Sequence, residues 1–127
     1  MNNSIEKLKE ITVLIVEDEE TSELLLTEIL QPLVNKLYYA KDGLESIKFV
    51  KENDDIDLVL MDLKLPKVSG YSATNEIRKF NDNVTIIAQT AYALVGDREE
   101  AIAQGCNDYI SKPINKEILI NTIIRNL

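Results

Sequence analysis

Residues 13–20 read VLIVEDEE. Four branched apolar residues run straight into four carboxylates: Glu17, Asp18, Glu19 and Glu20. An unbroken apolar run without alternation is the pattern of a strand buried on both faces. Carboxylates do not belong inside such a core. The stretch therefore reads as a central strand whose exit opens into a cleft.

Outward from this segment, further strand-like runs lie at 37–40 (LYYA), 57–61 (DLVLM), 84–89 (VTIIAQ) and 108–110 (DYI), with the first run extending over 11–16. Between them the apolar spacing is helical. The first helix is expected over about 20–31, with Leu25, Leu26, Ile29 and Leu30 on one side and Pro32 near its end. The second is expected over about 43–52, opened by Asp42 and Glu45 as a capping-box variant. The third covers about 70–80, with Ala73, Ile77 and Phe80 in register. The fourth covers about 94–104, with Asp97 and Glu100 at its start and Gly105 as its stop. The fifth covers about 115–126, led by Asn115. Residues 1–10 are polar with mixed charge and read as a leader or linker, leaving 11–127 as one domain.

Five strands alternating with five helices imply an α/β fold, a parallel sheet covered on both faces. In such sheets ligands bind beyond the carboxyl ends of the strands. The residues there are informative. Glu17 and Asp18 follow the first strand, Asp62 ends the third, Thr90 ends the fourth, and Lys112 follows the fifth. Three carboxylates held together repel one another unless a cation offsets them.

Composition narrows the chemistry. The chain has 127 residues, a formal net charge of −8, one cysteine (Cys106) and no histidine. Without histidine there is no His-ligated zinc and no Ser-His or Cys-His nucleophile pair. No basic cluster suits nucleic acid, and no run approaches the roughly 20 apolar residues of a membrane helix. A single cysteine fits a reducing, cytoplasmic setting. Oxygen-only ligands favour Mg²⁺, with Mn²⁺ as a substitute. A lysine and a hydroxyl beside them suit a phosphoryl group, with Asp62 as its acceptor in an acyl phosphate.

In four motifs, VEDEE at 16–20, MDLKLPKVSGY at 61–71, QTAYA at 89–93 and GCNDYISKPI at 105–114, the chain resembles the receiver (response-regulator) domains of two-component phosphorelays. The spelling is most like receivers of hybrid sensor histidine kinases. The resemblance implies a doubly wound five-stranded sheet in the order 2-1-3-4-5, flavodoxin-like, with five helices. It further implies that Asp62 accepts a phosphoryl group from a phosphohistidine on a histidine kinase or histidine phosphotransfer protein. Glu17, Asp18, Asp62 and the backbone carbonyl of Lys64 would hold Mg²⁺. Lys112 would pair with the phosphoryl oxygens, and Thr90 and Tyr109 would form the switch. Pro66 and Gly70 would shape the loop after Asp62, and the Lys112–Pro113 bond would be cis. Lys64 and Tyr92 would tune how fast the acyl phosphate is lost. Glu17 stands where many members have Asp, and Leu65 where Met is frequent; neither removes a required group.

The resemblance makes the chain a signalling domain, limited to self-phosphorylation and self-dephosphorylation, with any kinase activity in a hybrid parent. It implies a monomer or a weak phosphorylation-dependent dimer without direct contact to nucleic acid or membrane. The rival reading is a phosphatase of the haloacid-dehalogenase type. That chemistry needs a second Asp two residues after the nucleophile, and Lys64 stands there.

Overall fold

A computed structural model describes residues 2–91 and 96–127. Five strands, β1 (Thr12–Val16), β2 (Lys36–Ala40), β3 (Leu58–Asp62), β4 (Thr85–Thr90) and β5 (Asp108–Ser111), form one parallel sheet in the order β2-β1-β3-β4-β5. The expected strands fall within a residue or so of these bounds. Six helices surround the sheet: α1 (Asn2–Leu8), α2 (Glu20–Leu30), α3 (Gly43–Glu52), α4 (Gly70–Arg78), α5 (Asp97–Ala103) and α6 (Lys116–Arg125).

Among the described residues there are six helices, where five were expected. The segment read as a leader contains a helix, because Leu8 is fully buried and Ile11 nearly so, both packed with Val13 and Ile123. Only a short apolar signal marks it, Ile5 and Leu8 three residues apart.

Alternation along the strands divides the core in two. Leu14, Val16, Val59, Met61, Ile86 and Ala88 face one side, with Ile77 of α4 and Ala101 of α5. Val13, Ile15, Leu58, Leu60, Ile87 and Ile110 face the other, with Leu26 of α2 and Leu119 of α6. Local chemistry sets the helix ends. The Asp42 carboxylate accepts from Glu45 N, and the Asn115 side chain accepts from Ile118 N. Glu45 does not close the box onto Asp42; its carboxylate accepts from Lys41 N instead. α5 ends in a Schellman motif, Cys106 N donating to Ala101 O and Gly105 N to Ile102 O, with Gly105 at φ 115°. The expected start of that helix at 94 lies outside the described residues. No helix among the described residues is long and apolar enough to cross a membrane.

Two charged residues tie distant pieces together. Arg78 donates from Nε to Gly105 O at 2.9 Å, from Nη1 to Val84 O at 2.7 Å, and from Nη2 to Asn107 Oδ1 at 2.8 Å. Asp108, 4% exposed, accepts from Arg125 Nη2 at 2.8 Å, Asn126 Nδ2 at 2.9 Å and Tyr109 N at 2.9 Å. It pins the end of α6 to the start of β5. Burial pushes its carboxyl up, but the bonds from Asn126 and Arg125 outweigh this and hold it below the ordinary carboxylate range. A depressed acid contributes stability above its unfolded pKa, and the contribution is lost as pH falls through the folded value. Asp108→Asn is therefore expected to cost about 1–3 kcal/mol at pH 7, with the deficit shrinking below about pH 4. Urea midpoints from about pH 7 down to about pH 2.5, a span that brackets the carboxylate range, read this directly; a deficit of constant size would refute the linkage.

Candidate functional site

The parallel register puts the strand exits side by side. Val16 of β1 pairs with Met61 of β3, so Glu17 and Asp62 are neighbours, and Asp62 pairs with Gln89 of β4. Glu17 is fully buried and Asp62 is 4% exposed, while Asp18 is exposed in the loop that follows. One carboxylate oxygen from each of Glu17, Asp18 and Asp62 lies within 4.8 Å of the others.

Lys112 reaches into this cluster from the end of β5. Its Nζ donates to Glu17 Oε2 at 2.9 Å and to Asp62 Oδ2 at 3.3 Å. Its backbone N donates to Thr90 O at 2.7 Å, and the Lys112–Pro113 peptide is cis. Burial pulls the ammonium down, but the bond to Glu17 and the charge of Asp62 outweigh it, so its pKa is raised. Glu17 is pushed up to about 7: burial is the main cause, Lys112 opposes it, and the Asp62 charge adds to it. One ammonium thus faces three acids, and the buried carboxylate resists ionisation. That imbalance, with an all-oxygen donor set, fits a hard divalent cation.

The loop after Asp62 is built on close approaches. Lys64 N donates to Asp62 Oδ1 at 3.0 Å, which orients the carboxylate, while Lys64 itself is exposed. Val68 N donates to Pro66 O at 2.8 Å across Lys67, whose φ is 67°. This three-residue turn is a strained form. Gly70 N donates to Leu63 O, starting α4 directly against the end of β3.

Thr90 is the last residue of β4 and 3% exposed. It lies on the same face as Ala88, which pairs with Tyr109 of β5, so Thr90 and Tyr109 are diagonal neighbours. The Tyr109 hydroxyl is buried without a hydrogen-bond partner among the described residues. Tyr92 lies outside them. A cavity of about 440 Å³ opens beside Lys112, between Thr21, Ser22 and Leu25 of α2 and the Ala91 and Pro113 loops. A larger one, about 680 Å³, lies away from the cluster between α3 and α4, and no carboxylate of the cluster lines it.

Strand ends thus bring together Glu17, Asp18, Asp62 and Lys112, with Thr90 on the adjoining strand end. The sequence reading passed over Gln89. It is 2% exposed in this same row, and its Nε2 has no partner among the described residues. The signal was an amide closing an otherwise apolar strand.

Known proteins share this fold and part of this sequence. A sensor histidine kinase of Helicobacter pylori, CheAY, is 34% identical over 118 residues, covering 91% of this chain; the chain spans only 15% of that protein. The structure of the Saccharomyces cerevisiae phosphotransfer protein Ypd1 with the receiver domain of Ssk1 contains a chain 34% identical, with a TM-score of 0.85, covering 91% of this chain and 88% of that one. A receiver domain of a Pseudomonas aeruginosa sensor histidine kinase, with magnesium in its active-site cleft, is 36% identical with a TM-score of 0.78, covering 91% of this chain and 95% of that one. The sequence profile of the response regulator receiver domain matches residues 13–124, and with the strand order and the acidic cluster on one sheet edge, the chain belongs to that family of two-component signalling domains.

Proposed function

We propose that Asp62 accepts a phosphoryl group from a phosphohistidine on a histidine kinase or histidine phosphotransfer protein. The observation that carries this is the pairing of Lys112 with both Glu17 and Asp62 inside an acidic cluster at the strand ends. The cluster is short of positive charge, as a site built to receive a cation and an anionic group should be.

Glu17, Asp18, Asp62 and the Lys64 carbonyl would hold Mg²⁺, for which Mn²⁺ is a chemical substitute. The bound ion would supply charge neutralisation for the phosphoryl oxygens. This chain's residues do the rest. Lys64 N–H holds Asp62 Oδ1, leaving the other oxygen, Oδ2, facing Lys112. An Asp62 oxygen attacks phosphorus as the donor's P–N bond breaks, and that electron pair leaves with the imidazole. Lys112 Nζ, with three N–H groups, moves from carboxylate to phosphoryl oxygen without leaving the site. Thr90 then turns its hydroxyl to the new dianion, and Tyr109 repacks into the space behind it. A partner reads the altered surface near α5 and β5. The domain works at the cytoplasmic side of such a pathway, as a monomer or a weak phosphorylation-dependent dimer. Its catalytic role ends with its own phosphorylation and dephosphorylation; the kinase activity of a hybrid parent, where one exists, resides elsewhere in that chain.

Intact mass after incubation with Mg²⁺ and acetyl phosphate tests the reading. The expected result is one adduct of about 80 Da, the mass of a phosphoryl group on an acid side chain. Peptide mapping after borohydride reduction should place it on Asp62. An adduct on another residue, or none from acetyl phosphate or from a phosphohistidine donor, would overturn it.

A further inference from the structure

Two buried side-chain atoms among the described residues have no hydrogen-bond partner, the Tyr109 hydroxyl and Gln89 Nε2. Buried donors are nearly always paired, so an orphan calls for a physical reason. The place of Gln89 supplies one. It is the penultimate residue of β4, it is in direct register with Asp62, and its carbonyl accepts from Leu63 N at 3.0 Å.

Strand alternation fixes the direction of the side chain. Ile87 packs with the cluster that also holds Ile15, Leu60 and Ile110, and Gln89 follows Ile87 by two residues. Glu17 follows Ile15, Asp62 follows Leu60, and Lys112 follows Ile110 by the same step. All four therefore leave the sheet on one face at one end. Adjacent strands stand about 4.8 Å apart, which a glutamine side chain spans. In the unmodified protein both Asp62 oxygens already have donors, Lys64 N on Oδ1 and Lys112 Nζ on Oδ2. The Gln89 amide has no acceptor among the described residues. Phosphorylation adds strong acceptor oxygens to its register neighbour.

Resting on the phosphoacceptor role of Asp62, we propose that Gln89 is a further binding residue for the phosphoryl group, its Nε2–H donating to a phosphoryl oxygen on Asp62. The donor is held unpaired until that oxygen arrives. It belongs to the preorganised set, placed before the charge appears. It also separates two properties that usually move together. Replacing Gln89 by an apolar residue of similar size removes an unsatisfied group from the unmodified protein and a charge-assisted bond from the phosphorylated one.

The test uses beryllofluoride with Mg²⁺, whose fluorines stand in for phosphoryl oxygens. Gln89→Met is expected to bind it about 10- to 100-fold more weakly, the range of one charge-assisted hydrogen bond, while its melting temperature without ligand is not lowered. In wild-type protein labelled with ¹⁵N-glutamine, the side-chain amide resonance missing from Gln89→Met should move downfield on binding. Affinity within about twofold of wild type, well short of the loss of one charge-assisted bond, or a Gln89 resonance that stays in place, would overturn the proposal. If Gln89→Met does not fold, Gln89→Leu and the wild-type resonance decide it. A wild-type protein that neither binds beryllofluoride nor takes a phosphoryl group refutes the phosphoacceptor reading itself, and this inference with it; binding without a Gln89 response refutes this inference alone.

Discussion

Asp62→Asn is expected to take up no phosphoryl group and, in chelator, to melt about 3–8 °C above the parent protein. The first half follows from chemistry: a carboxamide oxygen does not form the acyl phosphate. The second follows from the site's charge. Carboxylate oxygens of Glu17, Asp18 and Asp62 lie within 4.8 Å of one another, and Lys112 is the ammonium that pairs with Glu17 and Asp62. In the variant the carboxamide oxygen would still accept the Lys64 N–H, and Lys112 would keep its closer partner, Glu17 at 2.9 Å against 3.3 Å for Asp62. What disappears is the repulsion from Asp62 that helps to drive Glu17 upward. A relief of about 1–2 kcal/mol corresponds to that melting shift in a domain of this size. Chelator matters, because an added cation would mask the difference. An adduct on Asp62→Asn would assign the acceptor elsewhere. A lower melting temperature would show that the Lys112–Asp62 pair outweighs the repulsion. The expected direction is that of sites that give up stability for function.

The residues that make this site were legible because each sits at a strand exit, and strand exits are read from short apolar runs. Val13–Val16 and Leu58–Met61 carry the pattern almost unaided. Caps such as Asp42 and Asn115 were legible for the same reason: their chemistry is local. What escaped is what depends on distant chain. Arg78 looks like a solvated charge in the last turn of α4, yet two separate connections supply its acceptors, Val84 before β4 and Gly105 with Asn107 before β5. Asp108 reads as the first residue of the last strand, and nothing near it in sequence announces its side-chain hydrogen-bond partners, which come from the end of α6, 17 and 18 residues later. The first helix escaped because one buried leucine among polar residues gives little periodicity, and only the packed core shows that Leu8 belongs to it. Gln89 escaped because an amide at the end of a strand looks ordinary until its row of neighbours is known.

Gly70→Ala is expected to cost about 4 kcal/mol or more, and it separates two reasons for a glycine. Gly70 resembles a loop-shaping glycine in the sequence, a role usually tied to backbone freedom. Its φ is not positive, however; the positive-φ glycines are Gly96 and Gly105. A Cβ on Gly70 would stand 2.2 Å from Asp62 O and 2.7 Å from Leu63 Cα. Both are backbone atoms at the end of a central strand, with no flexible tip to swing aside. Relief requires either α4 to retreat, breaking the Gly70 N to Leu63 O bond, or the Asp62 main chain to move. The second displaces the acceptor from Lys112 and from the Lys64 N–H. Gly96→Ala is the informative control: nothing lies within 4 Å of its Cβ, and only its φ of 92° opposes the change. That backbone strain costs about 1–2 kcal/mol. Urea midpoints should therefore rank wild type above Gly96→Ala and Gly96→Ala well above Gly70→Ala, with phosphoryl uptake impaired in Gly70→Ala wherever it remains folded. Equal midpoints for the two variants would mean that α4 yields easily, and that the end of β3 is not held by the close packing of glycine against its main chain.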